Sequence, residues 1–321
     1  MPATVPTAVI AAWGEPPEVH EMPAPTRRPG RALVRLEAAA VNPVDLAIGA
    51  GRFYLPLPDP PFAAGVEAVG EVLESDAHEP GTRVWCLQAA AGCWAGVFEA
   101  PDDRLVPVAR DADPVTAAAM GVAGLAGWMP VVTRGRVAVG ETVLVLGATG
   151  AVGQVAVQVA RARGAGRVVG VGRDEERLGQ VRALGADDVV PVGDVAGLGQ
   201  RVAAVCPERV NLVIDALWGE PLAAVVGSLA HGARVVHVGA AAGQVCALPG
   251  GPLRGGRVDI RGFSLFSEPF EQVGAAHADL VRLAMDGGVS LPVDTVPLRD
   301  VASAWRAQAA GAGGRKLVLV P

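Results

Sequence analysis

The stretch Val143–Gly153 constrains this chain more than any other. It opens on Val143-Leu144-Val145-Leu146, a short continuous apolar run of the kind that forms a parallel strand covered on both faces. Glycines follow at three-residue spacing, Gly147, Gly150 and Gly153. Beyond them Val152, Val155, Ala156, Val159 and Ala160 recur as one face of a helix, and Gly164 is placed to cap it. Strand, glycine turn and helix in that order offer free backbone N–H groups and the positive end of a helix to a phosphate. Glycine is needed where a Cβ would block a pyrophosphate. Dinucleotide binding is the expectation; an ordinary strand-turn-helix packed with small residues is the competing reading.

The next strand, 167–171, bears on that choice. A reader of the adenine ribose belongs at its end, and an NAD enzyme places an acid there. This chain has Gly172, then Arg173, with Asp174 one step later. A small residue followed by Arg leaves room for a 2′-phosphate and supplies a forked donor to hold it. Arg177, one helical turn on, is placed to assist. The reading is therefore NADPH over NADH; alternatively Arg173 only balances surface charge beside Asp174 and Glu175.

At 321 residues the chain can hold two domains, each with a core. No apolar run is long enough to span a bilayer. Met1 to Ile10 lacks a basic segment leading into an apolar core, so no signal peptide is indicated. Cys86, Cys93, Cys206 and Cys246 show no paired-ligand spacing, which suits a cytoplasmic chain with free thiols. A net charge of −6 argues against nucleic acid as partner. All positive side chains are Arg except Lys316.

Residues 1 to 118 read as mainly β. Strand signals fall at 31–38, 66–74, 97–100 and 104–108, with proline clusters at 56–61 and the Pro80-Gly81 pair between them. A helical, small-residue stretch covers 115–130. From Glu141 strands alternate with helices: strands at 142–146, 167–171, 187–191, 211–215, 233–238 and 258–263, helices at 174–184, 195–205 and 220–230. Such alternation implies right-handed crossovers and a parallel sheet. Residues 269–286 read as helix and 316–320 as a last strand.

The segments 41–45, 65–70, 121–125, 147–153 and 315–319 together resemble the medium-chain dehydrogenase/reductase superfamily, and most closely its zinc-independent quinone oxidoreductase and enoyl reductase branch. The resemblance implies an α/β fold: a Rossmann doubly wound parallel sheet plus a GroES-like, mainly β catalytic domain. It divides the chain into a GroES-like domain over 1–118, a Rossmann NADP-binding domain over 119–265 and a return to the catalytic domain over 266–321. It implies a homodimer joined through the strand at Val258 to Phe263. Its cofactor contacts are Gly147, Thr149, Gly150, Ala151, Val152, Gly153, Arg173, Arg177, Gly239, Ala240, Phe263 and Lys316.

Zinc-containing relatives carry a Cys where this chain has Asn42, a His at Val66 and a third ligand at Val122. Valine cannot ligate, so the expectation is no metal. The histidines at 20, 78, 231, 237 and 277 show no ligand spacing either. Tyr54, the only tyrosine, resembles the tyrosine that enoyl reductases of the superfamily place beside the substrate. It either donates a proton or lines the pocket. Asn42 is expected to donate to the substrate carbonyl or the nicotinamide ribose, unless it bonds backbone in its loop. Asp45 reads as a helix cap and Glu67 as a structural acid held in a salt bridge. Relatives often have Thr or Ser where this chain has Ala126. Phe53, Trp94, Trp128 and Phe266 are candidate pocket aromatics, with core packing the other fate for each. The implied activity is hydride transfer from NADPH to a quinone or an α,β-unsaturated carbonyl. The alternative is an NADP-binding pathway protein of the same fold with an isomerase, cyclase or sensing role.

Overall fold

The computed structural model describes residues 3–88 and 92–321. The amino-terminal part supplies β1 (Thr4–Ile10), β2 (Glu18–Pro23), β3 (Arg31–Ala40), α1 (Pro43–Gly49) and β4 (Phe62–Ala63). It continues with β5 (Glu67–Glu74), β6 (Arg83–Leu87), β7 (Val97–Pro101) and β8 (Leu105–Pro107). The middle holds α2 (Pro114–Ala119), α3 (Val122–Met129), β9 (Thr142–Leu146), α4 (Ala151–Ala162), β10 (Arg167–Gly172) and α5 (Glu175–Ala183). Next come β11 (Asp188–Pro191), α6 (Leu198–Val205), β12 (Val210–Asp215), α7 (Gly219–Val225), β13 (Leu229–His237), α8 (Gly250–Gly256) and β14 (Asp259–Gly262). The tail is α9 (Phe270–Met285), β15 (Val293–Pro297), α10 (Val301–Ala309) and β16 (Lys316–Val320).

The chain divides into two compact units. The first holds the described residues of Met1–Ala123 with Pro269–Asp286 and Pro292–Pro321; the second holds Gly124–Glu268 and Gly287–Leu291. Residues 287–291 return to the second unit because Gln158 of α4 brackets Ser290. Its Nε2 donates to the Ser290 carbonyl at 2.8 Å, and its Oε1 accepts from the Ser290 amide at 2.9 Å.

In the first unit the larger sheet runs β15-β16-β3-β5-β6-β8, with β7 also paired to β3, and a smaller sheet runs β2-β1-β4. β16 lies antiparallel to β3, with Val318 opposite Ala40 and Leu319 opposite Ala39. That register carries the start of the last strand to the turn that follows β3.

In the second unit the sheet order is β11-β10-β9-β12-β13-β14, and every neighbouring pair is parallel. β9 is buried along its length, as its unbroken apolar sequence requires. Strand order reverses between β9 and β12, the switch point at which open α/β sheets bind ligands. Leu144, Val169, Val213 and Val235 pack with Leu198, Val202 and Leu222 beneath the sheet.

Two expected elements differ. The helical run at 115–130 is two helices, interrupted at Met120 and Gly121; a Cβ at Gly121 would overlap the Glu67 carboxylate. The helix expected at 220–230 stops at Val225, and β13 starts early, at Leu229. There the Arg209 guanidinium draws out two carbonyls, with Nε donating to Leu229 at 2.8 Å and Nη2 to Gly227 at 2.6 Å. Among the described residues no helix is long and apolar enough to cross a membrane.

Candidate active site

The glycine turn is seated on the neighbouring strand. The amides of Gly147 and Ala148 both donate to the Val171 carbonyl, at 3.0 and 2.9 Å. Gly147 has φ +86°, a conformation that side chains with a Cβ rarely adopt. Gly150 then starts α4 without a side-chain cap. The first-turn amides of Ala151, Val152 and Gly153 therefore lack partners within the helix. The last two glycines do different work. A Cβ on Gly153 would overlap the Gly147 carbonyl and Ala148, so that glycine lets helix and strand close together. A Cβ on Gly150 would meet only the Gly147 carbonyl, at 3.6 Å; its outer side is open. The turn thus keeps a cradle that a larger residue would fill, and a pyrophosphate fits it. Thr149 lies against the end of β10, where a Cβ on Gly172 would meet its Cγ2 at 2.7 Å.

Arg173 follows directly and is exposed. Its neighbour Asp174 is occupied by another arginine: it caps the amide of Arg177 at 3.0 Å and pairs with the Arg177 Nε at 3.3 Å. Among the described residues Arg173 enters no ion pair with Asp174 or Glu175. Arg177, expected to assist with the phosphate, closes the first turn of its own helix.

Gly239 and Ala240 follow β13. A Cβ on Gly239 would lie 3.3 Å from the Ala216 carbonyl, in the turn after β12, and that turn borders Gly147 through Leu217 and Ala216. Phe263 is buried and prolongs β14, its amide donating to the His237 carbonyl at 2.9 Å.

The first unit contains a buried polar cluster. The side chains of Asn42, Asp45, Glu67 and Lys316 are all buried. Lys316 Nζ donates to the Val41 carbonyl at 2.6 Å and to Asn42 Oδ1 at 2.5 Å. Asn42 Nδ2 donates to Glu67 Oε1 at 2.7 Å and, more weakly, to the Ala40 carbonyl at 3.3 Å. Glu67 Oε2 accepts from Trp85 Nε1 at 2.9 Å and from the Val122 amide at 2.8 Å. Asp45 caps α1, accepting from the Asn42 amide at 2.8 Å and from the Val66 amide at 3.1 Å.

Burial pushes Asp45 up to about 7, against the pull of its two backbone donors, and raises Glu67 as well. Burial pushes Lys316 down to about 8, opposed by Glu67 and Asp45. Trp85 stacks on His277, with ring centroids 4.3 Å apart. The His277 Nε2 lies 3.0 Å from the Ala117 carbonyl, and burial pushes the imidazole down to about 4.

Three expectations change here. Asn42, expected to donate to the substrate carbonyl or the nicotinamide ribose, has both amide protons and the amide oxygen engaged inside the cluster. Lys316, expected at the cofactor, has its ammonium buried against Val41 and Asn42, because β16 runs beside β3. Glu67, expected in a salt bridge, bonds Asn42, Trp85 and the Val122 amide, and the Lys316 ammonium reaches it only through the Asn42 amide. Trp85 and His277 escaped the sequence reading; the one available signal was a sole lysine at the start of an apolar strand.

Tyr54 is exposed, and its ring lies against Phe53 at 4.6 Å. Phe53, Leu55 and Leu57 join Trp13, Ala50 and Gly51 around an open cavity of about 390 Å³. Trp94 and Trp128 are core residues; Trp94 packs edge-on to Trp305, and Arg163 lies over Trp128. Phe266 is half-buried. Val66 and Val122 carry no metal-ligating atoms. Among the described residues no group of three or more His, Cys, Asp or Glu side chains is arranged to hold a metal.

Residues 28–110 match the family model described as alcohol dehydrogenase GroES-like domain, and residues 151–279 match zinc-binding dehydrogenase. The quinone oxidoreductase of Sus scrofa is 30% identical over 309 residues, covering 92% of this chain and 91% of its own. The quinone oxidoreductase of Homo sapiens is 29% identical over 308 residues, with 92% and 91% covered. Among solved structures, mycobacterial Rv1454c complexed with NADPH superimposes with a TM-score of 0.88 at 25% identity, covering 99% of this chain and 100% of that one. With both family models in sequence order and relatives 29–30% identical over about nine-tenths of both chains, the chain belongs to the medium-chain dehydrogenase/reductase superfamily, in its quinone oxidoreductase branch.

Proposed function

We propose that this protein is an NADPH-dependent oxidoreductase that reduces a quinone or an α,β-unsaturated carbonyl without a metal. The observation that carries the reading is the uncapped glycine turn with Arg173 exposed beside it. The NADPH held by the mycobacterial structure and the quinone oxidoreductase relatives support it.

In this reading the amides of Ala151, Val152 and Gly153 hold the pyrophosphate over the open side of Gly150, with Thr149 alongside. Arg173 holds the 2′-phosphate. Gly239 and Ala240 border the nicotinamide end. NADPH, when bound, supplies the hydride. The chain's own part is binding, orientation and a proton. Tyr54 presents an exposed phenol in the first unit, next in sequence to Phe53 and Leu55, which help line the open cavity where we place the acceptor. Its phenol orients the acceptor carbonyl.

The metal-free reading rests on the donor set. Val66 and Val122 offer nothing to zinc, and the Asn42 amide is fully engaged. β14 is the edge of its sheet and partly exposes Ile260, which supports a homodimer joined there.

The test is direct. Purified protein mixed with NADPH and a panel of quinones and enones should consume NADPH with at least one acceptor. No loss of NADPH absorbance with any of them, or stoichiometric zinc in active protein, overturns the proposal.

A further inference from the structure

A second polar pair lies at the carboxyl edge of the parallel sheet. Asp215 ends β12 and His237 ends β13, and the two are direct neighbours in the ladder. Asp215 is fully buried. Its Oδ1 accepts from the amides of Leu217 at 3.0 Å and Trp218 at 2.9 Å. Its Oδ2 is buried with no hydrogen-bond partner, and so is His237 Nδ1; the two atoms face each other across 3.6 Å. That gap is longer than a hydrogen bond, so two costly orphans stand one small shift from satisfying each other.

The surroundings store strain. Trp218 adopts φ 58° and ψ −168°, a region almost reserved for glycine. Its ring covers the imidazole, with centroids 4.2 Å apart. The turn that Asp215 shapes is laddered to the loop after β13. The Asp215 carbonyl accepts from Val238 at 2.8 Å, Ala216 accepts from Ala241 at 3.2 Å, and Leu217 accepts from Ala242 at 2.8 Å. The same turn borders Gly147 of the phosphate cradle. Any shift that closes the Asp215–His237 gap therefore moves both the loop at 239–242 and the wall of the glycine turn.

We infer that His237 and Asp215 are positioning residues: closing of their contact, with Trp218 held strained above it, sets the loop at 239–242 for the cofactor. The inference rests on the reading of that loop as the nicotinamide border. Neither side chain touches the cofactor; both act through the backbone. His237 donates Nδ1–H to Asp215, and the loop is drawn along by the backbone ladder.

The test is NADPH affinity, read by fluorescence titration, in His237→Leu and His237→Asn. Leucine removes the donor and asparagine replaces the Nδ1–H. The expected result is an NADPH Kd raised about tenfold in the leucine variant and restored toward wild type by asparagine, with the KM for the acceptor unchanged. A folded leucine variant with the wild-type Kd overturns the inference. Should that variant fail to fold, Trp218→Gly decides. It removes both the strained backbone conformation and the ring over the imidazole, and in protein shown to be folded by circular dichroism it should weaken NADPH several-fold; unchanged affinity there also overturns the inference. Wild-type protein that binds no NADPH would instead remove the functional reading itself, a separate outcome visible before any variant is made.

Discussion

Glu67 and Lys316 grip opposite ends of one amide. Asn42 donates to the carboxylate at 2.7 Å and accepts from the ammonium at 2.5 Å, all three side chains being buried. The lysine comes from the last strand, Asn42 from the turn after β3 and Glu67 from the start of β5, so the contact ties the end of the chain to its amino-terminal part. Replacing Lys316 with Met leaves two buried acids without a counter-charge. Loss of one partner from a buried charge set costs about 3–5 kcal/mol. Urea unfolding of Lys316→Met should show a loss of that order, and a loss below about 1 kcal/mol would mean the cluster is held by something else.

Arg173 should decide cofactor preference. Because it is exposed and Asp174 is taken by Arg177, its removal ought to leave the fold alone. In Arg173→Ala the KM for NADPH should rise roughly tenfold to a hundredfold while that for NADH stays within about twofold, since only the 2′-phosphate is lost. Equal effects on both cofactors would sink this assignment.

The glycines of the turn should separate under mutation. Gly153→Ala forces a Cβ into the Gly147 carbonyl and should lower the melting temperature. Gly150→Ala meets nothing closer than 3.6 Å and should melt like wild type, yet bind NADPH at least about tenfold more weakly, because the added methyl occupies the cradle. A Gly150→Ala protein with full affinity would place the pyrophosphate elsewhere.

His277 predicts an acid-side instability. Its folded value, about 4, lies below its ordinary 6.5, so under pH 6.5 the unfolded chain takes a proton that the folded chain refuses. Stability from this group is complete above 6.5 and drains away as pH falls toward 4, by about 3 kcal/mol at most. Asp45 and Glu67, both raised, act in the opposite sense in acid. The informative quantity is therefore the difference between wild type and His277→Gln. The variant should be the less stable protein at pH 7, having lost the stack on Trp85, and the gap should shrink or reverse by pH 4.5. A gap independent of pH would mean the imidazole titrates normally.

What the chain's letters determined by themselves is mostly local. An apolar tetrad followed by glycines at 147, 150 and 153 has few ways to fold, because a buried parallel strand, a positive φ and a close helix approach each exclude most residues. Strands alternating with helices after Glu141 likewise leave little choice but a parallel sheet. Asp45 as a cap was legible because capping acts within one turn of chain. The partners of Asn42 and Lys316 were not. They are 274 positions apart, and only the antiparallel register of β16 on β3 brings them together. The same holds for Asp215 and His237, which look unremarkable in their own strands and become a pair because two parallel strands end side by side. Backbone conformation is written in neighbouring residues; the pairing of buried charges is decided by strand register, and that depends on the whole sheet.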